Sequence, residues 1–247
     1  MERLDKVLVS NGYFSSRAKA EEAIINQSIK VNSFIIDKPG KKINPESKIE
    51  IIGLRKQYVS RGALKLIHAL SVFKIDVSHL MVMDLGASTG GFTEVLLENS
   101  CKKVYCIDVG TGQLNENLLK NDRVINHEKI HIKDLQPEVI GELLDGIVID
   151  LSFISLTKVM QYLSKFLKEN GFIIALIKPQ FEVGKINLSK KGVVKNEKLY
   201  PDVISTIQKS AELNSFKWVS SCESPIKGGD GNKEFLCYLR KTTSVNI

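Results

Sequence analysis

The feature that most constrains the fold is an alternation, from residue 59 onward, of short apolar runs with segments of helical length. The runs have the length and the aliphatic content of buried strands, and they occupy residues 82–85, 104–109, 146–151, 172–177, 217–222 and 234–239. Helical patterns occupy residues 60–70, 93–99, 156–169 and 202–214. Strands joined through helices form βαβ units and a mostly parallel sheet. We therefore predict an α/β domain over residues 59–247.

The first 52 residues show a different pattern, in which two short helices precede short strands. The positions with helical spacing are Leu4, Val7 and Leu8 in the first helix and Ala18, Ile24 and Ile25 in the second. Ser15 or Ser16 can cap the second helix. Alternating apolar residues predict strands near residues 29–31, 35–36 and 49–52. We expect a small α+β domain over residues 1–52 and a polar linker at residues 53–58.

The chain is basic, with 35 Lys and Arg against 28 Asp and Glu and a formal net charge of +7. Residues 1–58 hold 11 basic and 7 acidic residues, so more than half of that net charge lies on less than a quarter of the chain. A basic excess favours phosphate-rich partners through counterion release. Solubility alone can also give a basic chain, so composition leaves nucleic-acid binding and plain solubility open.

The composition of the chain argues against membrane-spanning and secreted classes. The longest apolar runs, such as residues 173–177, are far shorter than the ~20 residues that cross a bilayer. The first residues include charges where a signal peptide needs an apolar core. We expect a soluble cytoplasmic protein. Its four cysteines show no C-x-x-C spacing and are predicted to be reduced core residues rather than metal ligands or disulfides; they are Cys101, Cys106, Cys222 and Cys237.

A glycine-rich loop follows the first strand of the second domain. It extends from Asp84 through residues 86–92 and leads into a helix, where glycines and free N–H groups let a ligand approach the backbone. The loop is neither G-x-G-x-x-G nor a phosphate-binding P-loop. Asp108 ends the next strand, 24 residues after Asp84, where an acid hydrogen-bonds ribose hydroxyls in nucleoside-cofactor sites. The combination points to S-adenosylmethionine, and a purely structural turn is the alternative.

Four charged residues are candidates for the chemistry of this domain, three of them at the ends of predicted strands and one on a helix. Asp150 and Lys178 each end a predicted strand, so both fall on the edge of the sheet where ligands bind. Lys65 lies on the helix that begins near residue 60, and Glu234 begins a late strand after a glycine-rich stretch. Taken singly, each residue fits a solvated surface charge better than a site residue, and spacing alone does not bring the four together.

Several segments carry a resemblance to known families. Residues 3–5, 16–17 and 29–32 resemble an S4 RNA-binding domain. The remainder resembles the FtsJ-like ribose 2′-O-methyltransferases in residues 58–62, 86–93, 150–155, 178–185 and 224–225. Nearly end to end, the chain is similar to the TlyA (hemolysin A) family of ribosomal RNA methyltransferases. The resemblance implies a Rossmann-like class I methyltransferase sheet, mostly parallel with one antiparallel strand, after a small α+β S4-like domain.

The resemblance also implies roles for individual residues. A catalytic tetrad falls on Lys65, Asp150, Lys178 and Glu234. Contacts to S-adenosylmethionine fall on Asp84, Gly86, Ala87, Ser88, Thr89, Gly90, Gly91, Phe92, Asp108, His131 and Asp150. Candidate RNA contacts are Arg3, Arg17, Lys19, Lys30 and Arg61. The implied reaction is methylation of a cytidine ribose 2′-hydroxyl in ribosomal RNA, and the short tail after residue 241 favours the large subunit over both subunits. No metal ligand set is visible.

The chain departs from the family pattern at three positions. The S4 pattern usually has glycine before and after its first strand, where this chain has Gln27 and Ser33. An asparagine usually follows the third strand of the methyltransferase domain, where this chain has His131. Three other functions stay open at this point: a non-catalytic protein that docks on ribosomal RNA, a small-molecule methyltransferase and, least favoured, a pore-forming hemolysin. The oligomeric state cannot be read from the sequence.

Overall fold

The computed structural model describes residues 1–14, 16–52 and 58–242. The chain divides into two compact units, Met1–Gln57 and Tyr58–Ile247. Each unit has an apolar core of its own. Residues 53–57 of the expected linker lie outside the described residues, as does Ser15, one of the two candidate helix caps.

The N-terminal unit packs two helices against two small sheets. Its elements are β1 (Glu2–Arg3), α1 (Leu4–Ser10), α2 (Arg17–Ile25), β2 (Ile29–Val31), β3 (Phe34–Ile35), β4 (Lys42–Ile43) and β5 (Ile49–Ile51). β1 pairs with β4, and the other three strands form a sheet in the order β3-β2-β5. Leu4, Val7 and Leu8 are buried, as their helical spacing predicts. Ser16 caps α2 by accepting a hydrogen bond from the Lys19 amide.

The buried face of α2 differs from the prediction. Ala18 and Ile25 are exposed, whereas Ile24 is buried together with Ala20 and Ala23. Residues three and four positions apart share a helix face, so 20, 23 and 24 form one stripe and residue 25 turns away from it. The burial of residues in α2 therefore follows their position on the helix, and the apolar side chain of Ile25 is exposed.

The C-terminal unit is built on one large sheet. Its helices are α3 (Gly62–Phe73), α4 (Gly91–Glu98), α5 (Glu116–Leu119), α6 (Pro137–Ile140), α7 (Thr157–Met160) and α8 (Tyr200–Leu213). Its strands are β6 (Met81–Leu85), β7 (Lys103–Ile107), β8 (Val124–His127), β9 (Leu144–Ile149), β10 (Leu167–Ile177), β11 (Phe216–Glu223) and β12 (Phe235–Lys241). The strand order is β11-β12-β10-β9-β6-β7-β8, and β12 pairs antiparallel with both of its neighbours. The predicted α/β fold, with a mostly parallel sheet and one antiparallel strand, is confirmed.

The helix predicted over residues 156–169 is wrong in its second half. α7 ends at Met160, a 3-10 turn covers Ser164–Phe166, and β10 begins at Leu167. Leu167 pairs with Leu144 of β9, and the register shifts before pairing resumes at Phe172. The apolar residues in this stretch are buried as expected, but strand pairing outweighs the local helical periodicity.

Helices and loops cover both faces of the sheet, and two apolar clusters fill the space between. This is why the central strands are almost continuously apolar instead of alternating. Cys101, Cys106 and Cys237 are buried in the unit, and Cys222 is partly buried. Burial raises the pKa of the Cys101 thiol to about 11, which matches the behaviour of inert core cysteines.

Candidate active site

Charged side chains from several strands meet at one edge of the large sheet. β6, β7, β9 and β10 are parallel, so their carboxyl ends share that edge. The acidic and basic residues at these ends are Asp84, Asp108, Asp150 and Lys178. Glu234 reaches the same edge from the opposite direction, because β12 is antiparallel and its first residue, Phe235, pairs with Ile177 at the end of β10.

Lys65, Asp150, Lys178 and Glu234 form one continuous cluster of alternating charge. Lys65 Nζ lies 2.7 Å from Glu234 Oε2 and 3.9 Å from Asp150 Oδ2. Lys178 Nζ lies 2.7 Å from Asp150 Oδ1. The fold therefore brings together four side chains whose meeting the spacing in the sequence could not establish.

The cluster is largely withdrawn from solvent. The side chain of Glu234 is 2% exposed, that of Lys65 10%, that of Lys178 11% and that of Asp150 21%. These side chains are not the solvated surface charges of the alternative interpretation. Two ammonium groups offset two carboxylates, which is the arrangement that makes buried charge tolerable.

Ser152 is a member of the site that the sequence analysis did not assign. Its hydroxyl accepts a hydrogen bond of 2.8 Å from Lys178 Nζ. Asp150 Oδ1, although in ion-pair contact with Lys178, accepts no hydrogen bond of good geometry from the described residues. Lys178 is thus held by two oxygens on the loop that follows β9, those of Asp150 and Ser152.

The glycine-rich loop packs closely on the end of β9. Gly86 has φ +87°, and a Cβ at this position would lie 2.6 Å from the Asp150 backbone carbonyl. Only glycine allows that approach without displacing the strand end. Gly90 packs against Leu114 and Leu118. The other loop residues that line the cleft beside the charged cluster are Ala87, Ser88, Thr89, Gly91 and Phe92.

Asp84 is fully buried at the floor of this cleft, which has a volume of about 300 Å³. Thr93 donates a hydrogen bond of 2.6 Å to Asp84 Oδ2, while Oδ1 has no partner among the described residues. Desolvation raises the pKa of Asp84 to about 7, and the nearby Asp150 carboxylate adds to the effect. Asp84 therefore has one carboxylate oxygen without a partner among the described residues at the floor of the cleft.

Asp108 borders a second, larger cavity of about 530 Å³. Its carboxylate accepts hydrogen bonds from the amides of Ser88 at 2.8 Å and Gly110 at 2.7 Å. His131 lies on the wall of the same cavity, and its Nδ1 accepts from the Lys133 amide at 3.1 Å. Gly86, Ser88, Asp150 and Ser152 line both cavities, so the two are adjoining parts of one groove.

Most of the remaining lining residues were not assigned from the sequence, because they lie in irregular loops. The apolar ones in the larger cavity include Val109, Ile130, Ile132, Leu151, Phe153 and Ile154. A useful signal existed for Leu151, Ser152 and Phe153, since they belong to the motif at residues 150–155. No group of three or more His, Cys, Asp or Glu in the described residues is arranged to hold a metal ion.

The candidate RNA contacts are distributed between the two units. In the N-terminal unit, the buried carboxylate of Asp5 holds the guanidinium groups of Arg3, at 3.0 Å, and Arg17, at 2.6 Å. Hydrogen bonds from Arg3 hold the pKa of Asp5 well below its usual range. Both arginine side chains remain about half exposed. Lys19 is exposed, Lys30 is partly exposed, and Arg61 lies at the start of α3 beside the cleft.

The sheet, with its glycine-rich loop and strand-end acids, defines a class I methyltransferase fold. A solved S-adenosylmethionine dependent methyltransferase from Listeria monocytogenes shares this fold with a TM-score of 0.56 at 18% identity, over 74% of this chain and 100% of that one. The family model described as FtsJ-like methyltransferase matches residues 58–241, and the S4 domain model matches residues 2–49.

Two further comparisons cover almost the whole chain. The Mycobacterium tuberculosis protein named 16S/23S rRNA (cytidine-2′-O)-methyltransferase TlyA is 37% identical over 242 residues, 98% of this chain and 90% of that protein. A solved structure from Streptococcus thermophilus that carries the hemolysin name is 39% identical, with a TM-score of 0.75, over 98% of this chain and 89% of that one. The chain therefore belongs to the TlyA (hemolysin A) family, in which an S4 domain precedes an FtsJ-like methyltransferase domain.

Proposed function

We propose that this protein methylates the 2′-hydroxyl of a cytidine ribose in ribosomal RNA, with S-adenosylmethionine as the methyl donor. The observation that carries the proposal is the buried cluster of Lys65, Asp150, Lys178 and Glu234 beside the glycine-rich loop. The activity in the name of the M. tuberculosis relative supports the choice of substrate. Large-subunit RNA is the first substrate to test, and the small subunit is the second.

The cavities support S-adenosylmethionine as the cofactor. The buried Oδ1 of Asp84, which has no partner among residues 1–14, 16–52 and 58–242, suits an ammonium group in the smaller cavity. Asp108 has lone pairs left for ribose hydroxyls in the larger cavity, whose apolar lining suits a flat base. When bound, S-adenosylmethionine supplies an electrophilic methyl group on a sulfonium. The sulfur departs as a neutral thioether, a leaving group that needs neither acid catalysis nor a metal.

Lys178 is the residue we place at the reacting hydroxyl. A ribose hydroxyl is a weak nucleophile, so a donor aimed at the oxygen as it gains negative charge lowers the barrier. The contacts of Lys178 with Asp150 and Ser152 fix the direction of its ammonium group. The Asp150 carboxylate, which lines the cleft and pairs with Lys178, is the candidate acceptor for the hydroxyl proton. Much of the rate is expected from alignment of the reacting atoms.

Lys65 and Glu234 act in this proposal as positioning residues. Glu234 holds Lys65 at 2.7 Å, and Lys65 in turn approaches the far oxygen of Asp150 at 3.9 Å. The pair of Lys65 and Glu234 helps to fix the orientation of the Asp150 carboxylate through Oδ2. In this proposal the domain of residues 1–52 docks RNA through phosphate contacts, with Arg3, Arg17, Lys19 and Lys30 as the candidates. In the domain of residues 59–247, Arg61 adds a contact beside the cleft. Such contacts orient RNA without reading its sequence.

The deciding experiment measures transfer of labelled methyl groups to unmodified large subunits, small subunits and protein-free RNA. We expect label on ribosomal RNA at one or a few cytidine riboses, and loss of at least about 100-fold in rate for Lys178→Ala, in keeping with removal of a transition-state donor. Lys168→Ala is the matched control, because Lys168 also pairs with an aspartate, Asp145, at 2.7 Å but lies at the opposite end of the sheet. Full methyl transfer by folded Lys178→Ala would exclude the assigned role.

Two other outcomes would change the function. Cofactor binding without methyl transfer to any substrate would favour a docking protein, and absence of cofactor binding would overturn the interpretation of the groove. The hemolysin name of some relatives is tested by lysis assays on detergent-free protein. No helix in the described part of the chain combines the length and the apolar character needed to span a bilayer.

A further inference from the structure

A lysine-bearing hairpin projects from the segment that follows the cluster residue Lys178. Leu188 and Val194 form an antiparallel bridge. The Ser189 amide donates to the Val193 carbonyl at 2.7 Å, and the Lys195 amide to the Asn187 carbonyl at 3.0 Å. The tip is Lys190-Lys191, which a tight turn holds outward.

The surroundings of the hairpin are strongly cationic. The segment of residues 185–198 contains five exposed lysines and a single acid, Glu197; the lysines are Lys185, Lys190, Lys191, Lys195 and Lys198. The ammonium groups of Lys190 and Lys191 have no ion-pair or hydrogen-bond partner within the described ranges 1–14, 16–52 and 58–242. Neighbouring like charges that no acid offsets attract a polyanion.

Asn232 ties this hairpin to the wall of the candidate active site. The residue is 1% exposed; its Oδ1 accepts from the Val194 amide at 3.0 Å, and its Nδ2 donates to the Gly192 carbonyl at 3.0 Å. Its backbone carbonyl accepts from the Gly228 amide at 2.9 Å. One buried residue thus joins the hairpin to the turn of residues 228–231.

That turn borders the cleft that holds the charged cluster. Lys227, Gly228 and Gly229 line the cleft together with Lys65 and Lys178. A Cβ at Gly228 would lie 2.5 Å from Glu234 Oε1, so the backbone of the turn lies directly against the cluster. Lys227 is exposed, and its ammonium group has no partner in the part of the chain that the structure describes.

We propose that Lys190, Lys191 and Lys227, the lysine rim, bind the phosphate backbone of the RNA strand whose ribose enters the cleft. This inference rests on the proposed function, and it adds a docking surface in the C-terminal unit to the one expected in the S4 unit. Flexible ammonium groups suit phosphates as point charges and do not select bases. The lysine rim therefore contributes to RNA affinity and to the orientation of the strand near the reacting nucleotide. It does not determine which nucleotide is methylated.

The test is the double charge reversal Lys190→Glu/Lys191→Glu, with Lys227→Glu as a second variant. The matched control is Lys209→Glu/Lys217→Glu, because these exposed lysines lie on α8 and β11, toward the opposite end of the sheet. The measurements are KM and kcat for methyl transfer to ribosomal RNA, the salt dependence of RNA binding and the affinity for S-adenosylmethionine.

We expect KM for RNA to rise about 10-fold or more in the double variant, and the slope of log K against log salt to fall by about 1 for each lost contact. Cofactor affinity should not change in the double variant, because Lys190 and Lys191 line neither cavity. Equal KM and equal slope in the double variant and the control would overturn the lysine rim while leaving the proposed function intact. Absence of methyl transfer by the unmodified protein on every RNA would instead contradict the proposed function.

Discussion

Lys65 Nζ lies 2.7 Å from Glu234 Oε2 although the two residues are 169 positions apart in the chain. Both side chains are nearly inaccessible to solvent, so each depends on the other for charge compensation. A buried pair of this kind contributes little net stability by itself, but loss of one member leaves an uncompensated buried charge. The pair therefore links the stability of the sheet edge to the geometry of the candidate active site.

Glu234→Ala should destabilise the C-terminal unit by about 3 kcal/mol or more, because Lys65 keeps its charge and loses its close partner. The double variant Lys65→Met/Glu234→Leu should recover most of that loss while remaining inactive in methyl transfer. Urea unfolding followed by the fluorescence of Trp218 measures this, since Trp218 is the single tryptophan and lies in β11. Equal stability of the single and double variants would contradict the ion-pair interpretation.

Asp84 should make the C-terminal unit less stable as pH rises. Its folded pKa of about 7 lies above the ordinary value of 3.8, so the folded state holds the proton more tightly than the unfolded chain does. The contribution of Asp84 is most favourable below about pH 4, decreases between pH 4 and 7, and is constant above that window.

The difference in unfolding free energy between the unmodified protein and Asp84→Asn isolates this effect from other titrating groups. We expect Asp84→Asn to gain relative stability as pH rises from 4 to 7, by an amount on the order of 1 to 3 kcal/mol. A pH-independent difference would show that Asp84 titrates normally in the folded protein.

Ser33→Gly should stabilise the N-terminal unit. Asn32 and Ser33 form the two-residue loop between β2 and β3, with φ angles of 50° and 72°. Such a hairpin turn favours Asn-Gly, because a side chain at the second position is strained in the left-handed region. We expect a gain of about 0.5 to 1 kcal/mol, seen as slower hydrogen exchange of amides in β2.

Ser47→Gly is the control for this substitution. Ser47 also lies in a turn but is not among the residues with positive φ. Glycine there only adds freedom to the unfolded chain, so the exchange rates should stay the same or increase. A gain equal to that of Ser33→Gly would show that backbone strain at residue 33 is not the cause.

Asn232→Ala should loosen the hairpin without changing the cofactor cavities. Two side-chain hydrogen bonds are lost, and the Val194 amide, which donates to Oδ1, should exchange faster. KM for RNA should rise several-fold while the affinity for S-adenosylmethionine stays the same. Asn214→Ala is the matched control, since Asn214 also donates a side-chain bond, to Ser210, but at the end of α8.

The position of the strand-end charges could be predicted, because a local sequence pattern shows where each strand ends. In a parallel sheet those carboxyl ends lie at one edge. Asp150 and Lys178 were placed in this way. The contact of Lys65 with Glu234 could not be, because it depends on the packing of α3 and on the antiparallel direction of β12. Neither property is encoded in a short window of sequence.

The errors in the predicted fold have two physical origins. Residues 156–169 satisfy a helical period, but pairing of Leu167 with β9 determines the conformation of the second half. Ile25 is more apolar than Ala23, yet helix geometry buries the alanine. Strand pairing overrode local preference in the first case, and position on the helix outweighed side-chain hydrophobicity in the second. The departures at Gln27 and Ser33 coincide with positive φ angles, which the family pattern with glycine at these positions anticipated.

The late position of Glu234 in the sequence has a consequence during synthesis of the chain. Glu234 lies just before the last described strand, so it is synthesised after Lys65, Asp150 and Lys178. Until then Lys65 is without its close carboxylate partner, and the charge alternation around Asp150 is incomplete. A chain that is truncated or still growing therefore has the groove residues without the finished cluster. Glu234 is therefore positioned beside Lys65 only when β12 pairs with β10, so a chain that lacks β12 does not assemble the fourth member of the cluster.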